Sequence, residues 1–333
     1  MNSQGITAKQ QRSPGCATAP GLLQSNVIRA GPWRCSVRPV DPLLLITNSE
    51  AGTNDAESLD KALAVLRQAG DVEVCPTSDQ GELDGVLHRR GGRRVVVAGG
   101  DGSLHAVVAA LHRRQELHDV VLGLIPLGTG NDFARGAEIP LDPEDAARLI
   151  VKGDVRPVDV IVDGVGGIVV NNVHVGVGAE ASRKAHKWKQ RLGRIGYGVG
   201  AALAGANPPY VRLRVEIDGE VVADFDRPIL QLAVGNGSTV GGGTEITPDA
   251  DHESGKMDVM VSFAVGPFSR FGYAAGLRKG EHHERDDVLY QRGSTVSVSG
   301  QAFYCSADGE LYGPERNRTW RVEAGAFSMC LPH

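Results

Sequence analysis

The chain has 333 residues, 41% of them hydrophobic, which is enough for about two domains with sizeable cores and too apolar for a disordered chain. Its 35 basic residues against 40 acidic ones leave a net charge of −5, which argues against bulk nucleic-acid binding, a task that needs an excess of Lys and Arg to displace counterions. Five scattered cysteines (Cys16, Cys35, Cys75, Cys305 and Cys330) form no C-x-x-C pair, so neither a zinc cluster nor a disulfide scaffold is expected.

Residues 1–40 are rich in Gly, Pro, Ser, Gln and Arg without apolar period and read as a disordered tail. No signal-peptide stretch and no run of roughly 18–20 apolar residues is found, so a cytoplasmic location is expected, with any membrane met from outside. From Pro42 onward, apolar runs alternate with helical periodicity. Leu43–Thr47, Val72–Cys75, Arg94–Ala98 and Val120–Ile125 read as buried strands. Leu59, Ala62, Leu63 and Leu66 mark one helix, Leu83, Val86 and Leu87 a second, and Leu104, Val107, Val108 and Leu111 a third. Strands alternating with helices predict a mainly parallel α/β sheet over 41–154. Beyond it, 155–333 reads as predominantly β, a sandwich, with hairpin signals at Asp163-Gly164 and Asp218-Gly219. A helical interruption is expected near 183–205, and His282-His283-Glu284 reads as an exposed strand segment rather than a metal site.

The third strand runs into Gly99-Gly100-Asp101-Gly102-Ser103 and the fourth into Gly128-Thr129-Gly130-Asn131-Asp132. Ligands of parallel sheets sit at the carboxyl ends of strands, and glycines there bring backbone N–H groups close to phosphate oxygens. Two such loops on consecutive strand ends can face each other across a crevice. Neither is a Walker loop, and neither fits G-x-G-x-x-G.

GGDGS followed by PLGTGNDFAR resembles the bacterial diacylglycerol kinase and sphingosine kinase-like lipid kinase family. The similarity extends over residues 43–333: Asn48–Gly52 (NSEAG) is similar to its first nucleotide loop, Thr77 to a nucleotide-binding hydroxyl, Gly241-Gly242-Gly243 to a mid-chain glycine signature, and Ser306-Ala307-Asp308-Gly309-Glu310 to a C-terminal DGE. The resemblance implies an N-terminal α/β nucleotide domain of the phosphofructokinase and NAD kinase kind and a C-terminal β-sandwich that binds lipid, its last strand packing back on the first domain. It implies ATP and Mg²⁺ as cofactors and a membrane lipid as acceptor, diacylglycerol first and a sphingoid-type lipid second. Two other readings stay open: a non-catalytic lipid- or nucleotide-binding homologue, because Ser49 and Ala106 stand where the family has Pro and Glu, and a soluble-metabolite kinase of the NAD kinase kind, which shares GGDG.

On this resemblance the nucleotide would lie on Asn48, Gly52, Thr77, Gly99, Gly100, Asp101, Gly102, Ser103, Gly128, Thr129, Asn131 and Asp132. Asp101 and Asp132 would bind Mg²⁺ or fix the loops. Asp308 or Glu310 would take the acceptor's hydroxyl proton as it attacks. A structural ion would sit on Asp258 with the carbonyls of Gly255 and Met260. Residues 181–215 contain no Asp or Glu, so Arg183, Lys184, Lys187, Trp188, Lys189 and Arg191 are the expected contact with an anionic membrane surface. A homodimer is compatible with all of this.

Overall fold

A computed structural model describes residues 41–48, 53–179 and 210–333. The stretch 1–40, Gly52 of the first loop and the basic positions 183–191 lie outside the described residues. Four parallel strands lie in the order β2 (Val72–Thr77), β1 (Leu43–Asn48), β3 (Arg94–Gly99), β4 (Val121–Pro126). The inner strands β1, β3 and β4 are apolar along most of their length because both faces are buried, whereas the edge strand β2 is partly exposed and carries Glu73. Leu43 and Leu45 meet Leu63 and Leu66 of α1 (Thr53–Ala69) and Ile150 of α5 (Pro143–Lys152). Leu44 and Ile46 face Leu83 and Leu87 of α2 (Gln80–His88) and Leu104 and Val108 of α3 (Asp101–Arg113). A short α4 (Asp132–Gly136) follows β4.

The β-rich part begins with β5 (Asp154–Asp163), which turns back through a hairpin into β6 (Ile168–Val169). Asp163 pins that turn, accepting the N–H groups of Val165 and Gly167. The antiparallel strands β7 (Asn172–Gly176), β10 (Gln231–Gly235), β13 (Met257–Ser262) and β14 (Val288–Gly293) lie side by side, with β15 (Thr295–Ala307) next to β7. Opposite them β15 also pairs with β8 (Leu213–Ile217), whose hairpin to β9 (Glu220–Ala223) turns on Asp218 and Gly219 at φ 51° and 86°. Two consecutive positive-φ residues are what a type I′ turn requires, which is why Asp-Gly was a usable signal. Val175, Val234, Val259, Val296, Val298 and Trp320 fill the sandwich core.

The last strand, β16 (Glu310–Leu331), crosses between the two parts. It pairs with β15 at its start and with β5 further on, and Ser328 and Met329 align with Val121 and Leu122 of β4. A two-residue pair, β11 (Thr239–Val240) and β12 (Thr244–Glu245), flanks a glycine turn.

Three features differ from the sequence expectation. Helix α5 had a legible start, since Asp142 caps Glu144 and Asp145 and Pro143 occupies the first turn. A helix α6 (Pro267–Lys279) interrupts the β half. Only Tyr273 and Leu277 of it are buried and Gly272 and Gly276 dilute its pattern, so its periodicity is faint. His282–Glu284 is a 3₁₀ turn, not a strand, and His282 is fully buried with Nε2 3.0 Å from the Ile246 carbonyl.

Candidate active site

The two glycine loops lie against each other so closely that side chains are excluded between them. A β-carbon on Gly128 would stand 2.5 Å from the Gly100 Cα, and one on Gly100 2.9 Å from the Gly128 Cα. Carboxylates then lock the arrangement. Asp101 accepts the N–H groups of Asp132 (3.1 Å) and Phe133 (2.9 Å), one oxygen each, and so holds the first turn of α4. Burial raises the Asp101 pKa, against the lowering by those two N–H groups. Asn131, at φ 51°, closes its own loop: its side chain accepts from the Gly128 N–H (3.0 Å) and donates to the Gly128 carbonyl (2.8 Å). Asp132 reaches into the β-rich part and accepts from Gly242 and Gly243 N–H, both at 2.9 Å. The Gly241–Gly243 signature is therefore the receiving end of a carboxylate clasp.

Beside these loops is a cleft of about 690 Å³. Asn48, Thr77, Gly100, Gly102, Ser103, Ala106 and Glu310 line it, so residues expected from three separate motifs meet in one place. Gly99, Asp101, Gly128, Thr129, Asn131, Asp132 and Asp308 are not among the lining residues. Most of them form the supporting framework; Thr129 is exposed.

The two C-terminal acids separate clearly. Asp308, its side chain 3% exposed, accepts the N–H groups of Val170 (2.6 Å), Asn171 (2.9 Å) and Asn172 (3.1 Å) and contacts His105 Nδ1 at 2.8 Å. Its lone pairs are engaged on all sides. Glu310 lies across the turn at Gly309, is exposed, opens on the cleft and accepts only the Tyr312 hydroxyl, at 2.8 Å. Sequence reasoning passed over His105, which lies four residues after Asp101 and therefore on the same side of α3. Burial opposes its protonated form, but the hydrogen bond and charge of Asp308, with Glu310 adding to them, raise its pKa overall. A His one turn after a phosphate-loop Asp was the available signal.

The residues expected to hold a structural ion are elsewhere: Asp258 and Met260 on β13, and Gly255 in the turn before it, where its N–H donates to Asp159. The Asp258 side chain is fully buried; one oxygen lies 3.1 Å from Arg292 Nε and the other has no partner. Burial raises its pKa against the Arg292 charge. Met260 sits mid-ladder between β10 and β14. One unpaired oxygen beside a guanidinium falls short of the near-octahedral oxygen set that Mg²⁺ takes. Among the described residues no group of three or more His, Cys, Asp or Glu gathers as a metal site.

Glycine loops at parallel strand ends, opposed by an acid delivered from an antiparallel sandwich, define a phosphotransferase architecture. Residues 42–162 match the diacylglycerol kinase catalytic domain, and residues 171–330 match the YegS C-terminal NAD kinase beta sandwich-like domain. A "Probable lipid kinase YegS-like" protein of Xanthomonas campestris is 32% identical over 309 residues, covering 86% of this chain and 95% of that one. A protein of the same name from Stenotrophomonas maltophilia is 32% identical over 312 residues, with the same coverage of 86% and 95%. The crystal structure of a diacylglycerol kinase from Bacillus anthracis superposes with a TM-score of 0.71 at 25% identity, over 87% of this chain and 97% of that one. The chain belongs to the YegS-like lipid kinase family. It is a kinase acting on lipid, built from an α/β diacylglycerol kinase-type domain and a β-sandwich. No described helix is long and apolar enough to cross a membrane.

Proposed function

We propose that the protein transfers the γ-phosphoryl group of ATP to a primary hydroxyl of a membrane lipid, diacylglycerol in the first place, with Glu310 accepting the hydroxyl proton. The observation that carries this is the placement of the Glu310 carboxylate on the same cleft as the Gly100–Ser103 loop, while the Asp308 carboxylate is committed to backbone N–H groups and His105. Phosphoryl transfer asks a protein mainly for positioning and charge stabilisation. Backbone N–H groups of the glycine loop and the amino end of α3 supply the positive field for the phosphates. The Thr77 and Ser103 hydroxyls, both on the cleft, supply neutral donors. Glu310, within reach of solvent, takes the proton of the attacking alcohol as its oxygen–phosphorus bond forms. Mg²⁺, when bound with the nucleotide, neutralises phosphate charge. Asp101 and Asp132 hold the loops by hydrogen bonds and are assigned no transfer step through the ion.

A non-catalytic role finds no support in the cleft. Ala106 leaves an exposed methyl group on its wall where the family has an acid, yet Glu310 remains to take a proton. Contact of Arg183, Lys184, Lys187, Trp188, Lys189 and Arg191 with anionic headgroups remains part of this proposal. The test is mass-detected phosphate transfer to diacylglycerol, ceramide, sphingosine and monoacylglycerol in mixed micelles. Phosphatidic acid should dominate; transfer to NAD with no lipid product would refute the reading.

A further inference from the structure

Helix α6 buries one side and leaves the other bare. Tyr273 and Leu277 sink into a cluster with Val177, Leu230 and Met260. On the opposite side Phe268 and Phe271 are 91% and 78% exposed, whereas the next most exposed described phenylalanine, Phe225, is at 47%. At 3.6 residues per turn, Phe268, Phe271, Ala275 and Arg278 fall on one stripe, with Lys279 at its edge. The helix contains no Asp or Glu from Pro267 to Lys279. Two acids outside the helix touch it: Asp287 accepts the Ser269 hydroxyl and is paired with Arg285, and Glu281 lies 3.9 Å from the Lys279 ammonium.

Two adjacent rings held in water are unfavourable unless something covers them. A second copy of the chain is a poor fit. A phenylalanine pair offers roughly 300–500 Å², below the ~800 Å² per partner of a stable interface. A lipid surface has no such threshold: rings enter the headgroup–acyl boundary while cations stay level with the phosphates. Arg278 and Lys279, at the end of the exposed stripe, match an anionic surface in charge as well. We propose that the outer face of α6 docks the protein on an anionic bilayer, with Phe268 and Phe271 inserted and Arg278 and Lys279 at the headgroups. The proposal rests on the reading of a membrane lipid as the acceptor. It places the docking contact on a structured helix apart from the catalytic cleft.

The experiment is flotation of the full chain with phosphatidylcholine vesicles, with or without about 30% phosphatidylglycerol, in the absence of ATP. The parent should float, more so with the anionic lipid. Phe268→Ser/Phe271→Ser should bind at least tenfold more weakly, whereas Phe271→Leu should retain most binding and Phe225→Ser all of it. Arg278→Gln/Lys279→Gln should weaken the preference for anionic vesicles and keep binding to neutral ones. All variants should melt with the parent and phosphorylate a dispersed short-chain acceptor at its rate. Equal flotation by the parent and Phe268→Ser/Phe271→Ser overturns the proposal. So does light scattering that finds a parent dimer made monomeric by that double change with flotation unaltered, since the face then covers a second copy. Phenylalanine-dependent flotation without phosphate transfer to any lipid supports docking and removes the acceptor reading alone.

Discussion

Replacing Asp308 by Asn and Glu310 by Gln should produce opposite phenotypes, although the two acids stand two residues apart. Asp308→Asn retains one acceptor oxygen. If that oxygen stays on the Asn171 and Asn172 N–H groups, the new amide nitrogen faces the Val170 N–H, now 2.6 Å from the carboxylate. A buried donor left without an acceptor costs about 1–3 kcal/mol, and loss of charge weakens each of the two remaining bonds by about 1 kcal/mol. The expected destabilisation is about 3–5 kcal/mol, similar to that for removing one partner of a buried pair. At roughly 2–4 °C per kcal/mol, the melting temperature should fall by about 6–20 °C. Glu310 is exposed and makes one hydrogen bond, to the Tyr312 hydroxyl. Glu310→Gln should therefore stay within about 0.5 kcal/mol of the parent in stability. Its turnover should fall by about 10²–10⁴, the usual worth of a general base, with ATP affinity kept. Calorimetric melting and single-turnover phosphate transfer in mixed micelles read the two effects separately. A fully active Glu310→Gln, or an Asp308→Asn that melts with the parent, would refute the division of labour.

Gly128→Ala places a methyl group 2.5 Å from the Gly100 Cα, so the loops must part; a cost of about 1–3 kcal/mol and at least tenfold weaker ATP binding are expected by titration calorimetry. Burial pushes both His174 and His252 down to about 4, below the ordinary 6.5. The unfolded chain therefore binds more protons between about pH 6.5 and 4, and stability should fall with pH there by up to about 1.4 kcal/mol per unit for each His. His105, raised, works in the opposite sense, its contribution being present at low pH and lost as pH rises through its folded pKa. A His174→Gln/His252→Gln protein whose melting falls as steeply as the parent's between pH 6.5 and 4 would show that these rings are not the source. If Arg292 rather than an ion neutralises Asp258, chelator should leave the parent's melting unchanged and Arg292→Gln should cost about 1–3 kcal/mol; a chelator-sensitive parent with a harmless Arg292→Gln would restore the ion.

The α/β architecture was legible because β1 and β3 are buried on both faces and the α2 and α3 cores repeat at helical spacing, which leaves few other foldings. Asp218-Gly219 was legible because its turn type restricts residue choice. Helix α6 was not, since it lies on a sheet with two anchoring side chains and exposes two phenylalanines that a periodicity count assigns to a core. In the site, the motifs marked loops that pack against each other, while their acids held the uncertainty. A sequence shows a carboxylate but not whether its oxygens face a ligand or an N–H group, so Asp308 and Glu310 stayed equivalent until their partners were known. His105 escaped notice because its meaning depends on Asp308, 203 residues further along the chain.

The partners of the aspartates share a property that explains both the glycine content and the robustness of the site. Asp101 holds the N–H groups of Asp132 and Phe133, Asp132 those of Gly242 and Gly243, Asp159 those of Gly255 and Gly325, Asp218 those of Ser294 and Thr295, and Asp308 those of residues 170–172. All of these donors are backbone, and Asp308 has the His105 ring in addition. A carboxylate that takes two or three N–H groups satisfies loop donors that would otherwise be buried unpaired, and charge-assisted bonds of this kind are about twice as strong as neutral ones. The recipient's side chain adds nothing to such a bond and often obstructs it, so several recipients are glycines. Loops clasped in this way keep their shape without a large local core. That matters at strand ends, where apolar packing must stop so that phosphates can approach. The acids most conspicuous in the sequence make clasps, and in the proposed mechanism the proton-accepting task is left to the exposed Glu310.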